Sequence, residues 1–495
     1  MWSKINQSID NILDQVTMYR LVLYLLSGLS LITVIFSGFH LLPFSPIAFL
    51  FSLSFILLIS KVSNDIFAKY FQAPVNVESV YLTGLILALI ISPPADFGGL
   101  VFLFWAALLA TVSKYVLAIG KKHLFNPAAI AVVLTAVGFG ASASWWIGNP
   151  YLALPVAISS YLIIKKIRRQ NLVYSFLFTV ILLSLGFNII NHQNIFSTLN
   201  ILFLHSSLLF FAGVMLTEPL TSPTTNNLQF IFGALVGFLF VPQVHFGSLY
   251  FSPEQALIIG NLFAYLTGPK QKLILTLKEK IRLTPDTYDF VFSTNKKVNF
   301  LPGQYLEWTL QHPKPDDRGN RRYLTIASSP TEKDLRIGVK FHPDGSSYKK
   351  SLLSLDKSPI VASQLAGDFI LPRDSDGKYV FVAGGIGITP FRSMIKYLLD
   401  KNIKMDIVLL YINSTASEIV YRDIFDQAGI KTIYYNTDES GHFTQNSLPQ
   451  LIPDYQDRTF YISGPHGLVS ATEDILQTAN LKPSQIKTDF FPGFA

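Results

Sequence analysis

Long apolar runs separated by short polar segments fill the first half of the chain, and short period-2 patterns fill the second. Ten apolar stretches lie at about 21–39, 45–60, 79–95, 99–118, 126–142, 150–164, 173–190, 197–217, 228–247 and 253–267. Each approaches the ~20 residues that a helix needs to cross a bilayer. They predict a polytopic α-helical membrane domain over residues 1–268. From Lys272 onward, segments such as Leu273–Leu277 and Tyr288–Phe292 read as strands, so residues 269–373 form a β domain. Over residues 374–495 a buried strand, a glycine turn and a helix follow one another, the pattern of an α/β nucleotide-binding domain.

The polar segments add an orientation. Lys4 and Arg20 precede the first run, Lys61 and Lys69 follow the second, Lys121 and Lys122 the fourth, and Lys165, Lys166, Arg168 and Arg169 the sixth. The segments after the first, third, fifth, seventh and ninth runs carry no Lys or Arg. Positive charge gathers on the cytoplasmic side, so the pattern predicts cytoplasmic N- and C-termini in a bacterial-type inner membrane. The net charge of +7 then reflects topology and contact with lipid rather than nucleic-acid binding. The first 20 residues, with Asp10 and Asp14, do not read as a cleavable signal peptide. The chain has no cysteine, which excludes disulfides, thiolate-ligated iron–sulfur clusters and a cysteine nucleophile, and no metal site is expected. His192 and His205 have no second pair within the runs, which argues against two stacked haems.

Two apolar segments end alike. Leu82–Ser92 runs into Pro93-Pro94, and Ser206–Thr217 runs into Glu218-Pro219-Leu220-Thr221-Ser222-Pro223-Thr224-Thr225. Matching proline-interrupted segments suit an inverted repeat whose freed backbone lines a site, although plain proline-capped helix ends look the same. Glu218, Thr221 and Thr224 are therefore candidate membrane-site residues, together with Asn126, which opens a helix before Pro127. The Phe125-Asn126-Pro127-Ala128-Ala129 run, the Thr217–Thr225 run and the ten-span layout resemble the D-type membrane subunit of the Rnf electron-transport complex. That component is related to the B-type membrane subunit of the sodium-pumping NADH:quinone reductase. The resemblance implies partner subunits of an electron-transport complex and ion coupling. Such subunits usually carry FMN on the threonine of a Ser-Gly-Ala-Thr motif, which this chain lacks. A noncovalent FMN, riboflavin or quinone is what remains for the membrane domain.

The stretch Arg321–Pro330 is the pivot between the two halves of the chain. Tyr323, Thr325 and Ala327 alternate with Leu324 and Ile326 until Ser328-Ser329-Pro330 stops the strand. Arg322 suits bidentate bonds to a pyrophosphate, and Thr325 suits the edge of an isoalloxazine ring, with Tyr323 and Tyr305 beside it. An edge strand with solvated arginines carries the same residues. Gly345, Ser346 and Ser347 open a short helix that suits a phosphate. Gly384, Gly385, Gly387, Thr389 and Pro390 form a turn into a helix that Thr389 caps and Pro390 begins, and Ser463, Gly464 and Pro465 end a further strand. In this order the motifs resemble the six-stranded FAD barrel and NAD(P) domain of ferredoxin–NADP reductases. The resemblance implies hydride transfer from a pyridine nucleotide to FAD near Thr325 and Ser463, with Phe491 or Phe494 stacked on the flavin. Relatives usually place an aromatic at the position of Leu324, so the flavin face is less enclosed here or Tyr323 compensates. Ile412-Asn413-Ser414-Thr415 offers no arginine to a 2′-phosphate, which favours NADH, while Tyr421 and Arg422 are near enough to serve adenine or phosphate. The expected function is a membrane flavoprotein passing electrons from NAD(P)H through FAD to a quinone or second flavin. A redox-powered transporter and an anchored reductase for an external acceptor are the alternatives.

Overall fold

The computed structural model describes residues 18–71, 77–119, 122–167, 169–192, 194–268, 273–294, 298–313, 316, 319–356 and 358–490, with the single positions Ile9, Leu13 and Val16. Phe491 and Phe494 lie outside the described residues. The chain divides into two compact units, Met1–Lys270 and Gln271–Ala495.

In the first unit, helices α1 (Met18–Gly38), α2 (Pro46–Tyr70), α4 (Phe97–Val116), α6 (Pro150–Ile167) and α7 (Gln170–Ile190) are each long and apolar enough to cross a bilayer. Helix α8 (Ile195–Leu204) and α9 (Leu208–Phe210, continued as a π-helix over Phe211–Met215) meet that criterion as one pair bent by 56°. Helices α3 (Val77–Ile90), α5 (Pro127–Phe139), α10 (Asn226–Phe240) and α11 (Pro253–Thr267) have only 13 to 15 residues. All fall on the apolar runs read from the sequence. Their starts follow from capping: Ser45, Asp96 and Asn126 accept backbone N–H groups, and Ser252 with Gln255 forms a capping box.

One break lies earlier than expected. The bend falls at His205–Ser207, not at the proline run beginning at Glu218. Ser206 explains it: its Oγ donates to the Leu202 carbonyl at 2.6 Å and accepts from Leu208 N–H at 3.2 Å, taking over bonds the helix would make. In α9 and α10 the chain packs without room to spare. A Cβ on Gly213 would lie 2.2 Å from Ser160 Cβ, and one on Gly233 would lie 2.3 Å from the Leu172 carbonyl oxygen. Neighbours repeat between halves: α2 packs on α4 as α7 packs on α10, and α4 on α5 as α10 on α11.

The second unit holds two sheets. Strands β1 (Leu273–Arg282), β2 (Thr287–Thr294), β3 (Tyr305–Thr309), β4 (Arg321–Thr325), β5 (Leu335–Lys340) and β6 (Ile360–Ala366) form an antiparallel sheet in the order β4-β3-β6-β1-β2-β5. It curls around Phe290, Phe292, Trp308 and Ile337. Helix α12 (Ser347–Leu353) lies between β5 and β6 in the chain. Strands β7 (Lys378–Gly384), β8 (Asp406–Asn413), β9 (Lys431–Asn436), β10 (Thr459–Gly464) and β11 (Ile486–Phe490) form a parallel sheet in the order β9-β8-β7-β10-β11. Its central strands are buried on both faces, which is why Tyr379–Ala383 and Ile407–Ile412 read as unbroken apolar runs. Helix α13 (Thr389–Lys401) follows β7, α14 (Arg422–Ala428) follows β8, and a helix over His466–Thr478 follows β10.

Candidate functional sites

Strand β4 is an edge strand, paired among the described residues only with β3. The register sets Trp308 opposite Arg322, Leu306 opposite Leu324 and Tyr305 opposite Thr325. Arg322 and Leu324 therefore share one face, and Tyr323 and Thr325 share the other. Tyr323 cannot stand in for an aromatic at position 324, because alternation turns it away. Its hydroxyl donates to Glu307 Oε2 at 3.1 Å and its ring meets Tyr305 edge-on at 5.6 Å.

Arg322 is 9% exposed and donates from Nη1 to the Arg321 carbonyl at 2.6 Å. Its guanidinium stands 4.9 Å over the ring of Tyr348. Burial pushes the Tyr348 phenol far above its ordinary range, and the nearby Arg322 charge only partly opposes that. Among the described residues, the Tyr348 hydroxyl and the Thr325 Oγ1 are both buried without a hydrogen-bond partner. The orphaned Tyr348 hydroxyl belongs to the ring under Arg322 and the orphaned Thr325 hydroxyl to the other face of β4, and each is costly unless a polar ligand meets it, which fits a flavin dinucleotide at the β4 edge.

The expected phosphate cradle at α12 is already engaged. Ser346 caps the helix, accepting from Lys349 N–H at 3.3 Å. Ser347 N–H donates to Asp316 Oδ2 at 2.8 Å, and Ser347 Oγ lies 2.9 Å from His312 Nε2 and accepts from Asp316 N–H at 2.9 Å. Gly345 N–H donates to the His342 carbonyl at 2.9 Å.

The nucleotide turn is built by contact between two strand ends. Gly385 has φ +52°, in the left-handed region, and begins a 3₁₀ turn to Ile388. A Cβ on Gly387 would lie 2.4 Å from the Ser463 carbonyl oxygen and 2.5 Å from Gly464 Cα. Ser463 is 1% exposed and pairs with Ala383 across the β7–β10 ladder. Pro465 leads into the helix His466–Thr478. Thr389 departs from its expected role: α13 starts at Thr389 itself, and its hydroxyl donates to the Ile386 carbonyl at 3.2 Å instead of capping the helix. Pro390 stands in the first turn as expected.

Tyr421 also departs. It has φ +59° and is 7% exposed, with its ring 5.2 Å from the Arg392 guanidinium. It is therefore packed between β5 and α13, not open to adenine. Nothing in the sequence marked Arg392, Glu332 or Asp289, which lie between the barrel and the nucleotide domain. Glu332 Oε2 accepts from Arg392 Nη1 at 2.7 Å, and Glu332 Oε1 accepts from Nη2 at 3.1 Å. Burial opposes ionisation of Glu332, but the bonds and charge of Arg392 outweigh it and hold the carboxyl below its usual range. A carboxyl whose folded pKa is depressed stabilises the fold above its unfolded pKa, and that contribution is lost as pH falls through the folded value. The thermal midpoint of the wild type is expected to fall more steeply than that of Glu332→Gln as pH drops from about 5 to 3, near the carboxylate range. Parallel pH profiles of the two proteins would remove the pair from this account.

In the first unit, the polar groups gather where helices end. Asn126 caps α5, accepting from Ala128 and Ala129 N–H at 3.1 Å each. Its own N–H donates to Asn261 Oδ1 at 2.8 Å, and Asn261 Nδ2 donates to the Thr221 carbonyl at 3.1 Å. His123 Nε2 lies 3.0 Å from Glu218 Oε1, and Thr221 Oγ1 donates to Glu218 Oε2 at 3.1 Å. Asn126, Glu218 and Thr221 thus come together, linked through Asn261. Thr224 stands further along, after Pro223, whose carbonyl accepts from Arg169. A second group lies at the end of α3: Trp145 Nε1 donates to Glu254 Oε1 at 2.8 Å, and Trp145 N–H donates to the Ile90 carbonyl at 2.8 Å. Glu254, only 2% exposed, escaped notice because Ser-Pro-Glu reads as an ordinary first helical turn.

Comparison with known proteins agrees with both halves. Residues 147–267 match the NQR2, RnfD, RnfE family, and residues 381–474 match the oxidoreductase NAD-binding domain. The chain is 27% identical over 231 residues to the glycine betaine monooxygenase reductase subunit of Chromohalobacter salexigens, covering 43% of this chain and 62% of that protein. It is 27% identical over 220 residues to the flavohemoprotein of Bacillus cereus, covering 40% of this chain and 54% of that one. Thus the chain spans little more than half the length of these relatives. The FAD/NAD-binding domain of a Vibrio cholerae nitric oxide dioxygenase aligns with a TM-score of 0.39 at 22% identity, over 44% of this chain and 98% of that one. The second unit is an FAD/NAD(P)-type oxidoreductase module, joined in one chain to an NQR2/RnfD-like membrane region.

Proposed function

We propose that the protein oxidises NADH and delivers the electrons to an acceptor held in the bilayer, a quinone or a second, noncovalent flavin. The observation that carries the reading is the covalent union of a nucleotide-dependent redox module with a membrane unit whose buried polar groups gather at helix ends. FAD, when bound, would accept a hydride and release electrons singly, which a pyridine nucleotide cannot do. Arg322 and Thr325 would hold it, the first through charge and the second through its orphaned hydroxyl. The turn Gly384–Pro390 and the Ser463–Pro465 segment would hold the nucleotide, with Gly387 allowing the backbones to meet. On the membrane side, His123 and Glu218 form a pair able to hold and pass a proton to a reduced acceptor. The membrane topology, with cytoplasmic termini, would put the module where NADH is available. Partner subunits and coupled ion movement belong to the same reading.

Preference for NADH rests on charge. Asp438 and Glu439 follow β9, where an acidic side chain suits a ribose 2′-hydroxyl and repels a 2′-phosphate, whereas Glu418 after β8 is paired with Lys340 at 2.9 Å. Arg422 is turned toward Asp426, at 3.6 Å, and toward the Tyr434 ring, at 5.0 Å. The full-length protein is expected to retain FAD on purification and to show kcat/KM at least about tenfold higher for NADH than for NADPH, a discrimination of charge repulsion at one phosphate. A protein that retains no FAD, or that prefers NADPH, contradicts the reading.

A further inference from the structure

We propose that Arg392 is a positioning residue for hydride transfer, tying the segment after the flavin threonine to the helix that follows the nucleotide turn; this rests on the FAD and NADH reading above. Arg392 lies one helical turn along α13 from Thr389 and is 3% exposed. Its Nη1 donates to the Ala327 carbonyl at 2.7 Å, and the next residue, Ser393, donates from Oγ to the Ser328 carbonyl at 2.7 Å. Ala327 and Ser328 continue the chain just past Thr325. The same short run is held again from Glu332, which accepts from Ser329 N–H at 2.7 Å while receiving both Nη groups of Arg392. Arg336 completes the set, with Nε 3.4 Å from Glu332 and Nη1 2.9 Å from Asp289.

The barrel also touches the nucleotide turn directly. A Cβ on Gly338 of β5 would lie 2.7 Å from the Tyr421 hydroxyl, 2.8 Å from Thr389 Cγ2 and 3.3 Å from Ile386 Cδ1. Glycine at 338 lets the turn settle against the strand, and Tyr421 closes the other side of the Arg392 guanidinium. Thr325, the turn and the start of α13 thereby form one packed body. A buried ion pair is weak evidence for stability alone, since desolvation offsets most of its attraction. What bidentate arginine bonds do supply is direction. Two reacting centres held by separate lobes need it, because a misplacement of about 1 Å costs on the order of 100-fold in rate.

The test uses the full-length protein in detergent. The chain has no cysteine, so cysteines placed at the exposed positions Glu279 and Lys401 take spin labels uniquely, one on each lobe. In Arg392→Gln the distance distribution between the labels is expected to broaden while bound FAD stays at the wild-type level. The rate of flavin bleaching by saturating NADH should fall by about 100-fold, with KM for NADH moving less than about threefold. Arg392→Lys should recover part of the rate. Gly338→Ala, which wedges a methyl between the lobes, should broaden the distribution and slow bleaching without touching any charge, and it carries the test should the Arg392 variants fail to fold. A narrow distribution in the variants, or a broad one with bleaching at the wild-type rate, overturns the proposal.

Discussion

Gly387→Ala is expected to leave FAD bound and to cut reduction by NADH at least about 100-fold. The added Cβ would fall 2.4 Å from the Ser463 carbonyl oxygen, 2.5 Å from Gly464 Cα and 2.6 Å from Gly464 N. All three are backbone atoms, so no side chain can swing aside. Nor can the strands separate, because β7 and β10 are adjacent parallel strands with Ala383 paired to Ser463. The turn itself must deform, and with it the surface against which a pyrophosphate would rest. A loss in kcat/KM of at least about 100-fold is expected from a displacement of this size. FAD absorbance per protein should stay near wild type, because Arg322 and Thr325 lie on β4, outside the sheet that carries the turn. Stopped-flow bleaching at wild-type rates would mean that the nucleotide binds elsewhere.

The second large effect is expected at Asn126. Replacement by alanine removes the cap of α5 and takes from the Met215 carbonyl the bond it accepts from Asn126 Nδ2. The backbone N–H of residue 126 remains, so its bond to Asn261 Oδ1 is not lost outright. A cap and one stranded buried group together cost about 2–4 kcal/mol. Asn126→Ala should lower the thermal midpoint of the purified protein and slow electron delivery to a bilayer acceptor, while leaving reduction by NADH unchanged. Asn126→Asp, which keeps the cap acceptor, should restore most of the midpoint. An unchanged midpoint in the alanine variant would show that the α5 start is held by other contacts.

How much of this was legible in the sequence follows from how local each signal is. Helices and strands in both units fell where apolar period and turn residues placed them, since those signals lie within one element. The glycine turn was equally plain, because Gly385 and Gly387 answer to backbone needs that few other residues meet. Asn126 and Glu218 stood out as isolated polar groups among apolar runs, yet the partner of Glu218 was His123, 95 residues away, and no periodicity links them. Arg392 and Glu332 were invisible for the same reason: 60 residues separate them, and each alone reads as a surface charge. Thr389 was given the wrong hydrogen bond, as a cap, because a hydroxyl has several nearby backbone choices and only the fold selects among them. The π-helix after Ser207 carried no sequence mark at all.

Delivery of electrons from NADH into the bilayer is the step on which the proposed function stands. Its most direct test places the full-length protein in nanodiscs containing a membrane quinone, reduces it anaerobically with a limiting amount of NADH, and follows flavin absorbance. The account predicts bleaching followed by recovery as the quinone is reduced, with the recovery, and not the bleaching, slowed in Glu218→Gln. Flavin that stays bleached in the presence of the quinone, with no second flavin reduced in its place, would contradict it.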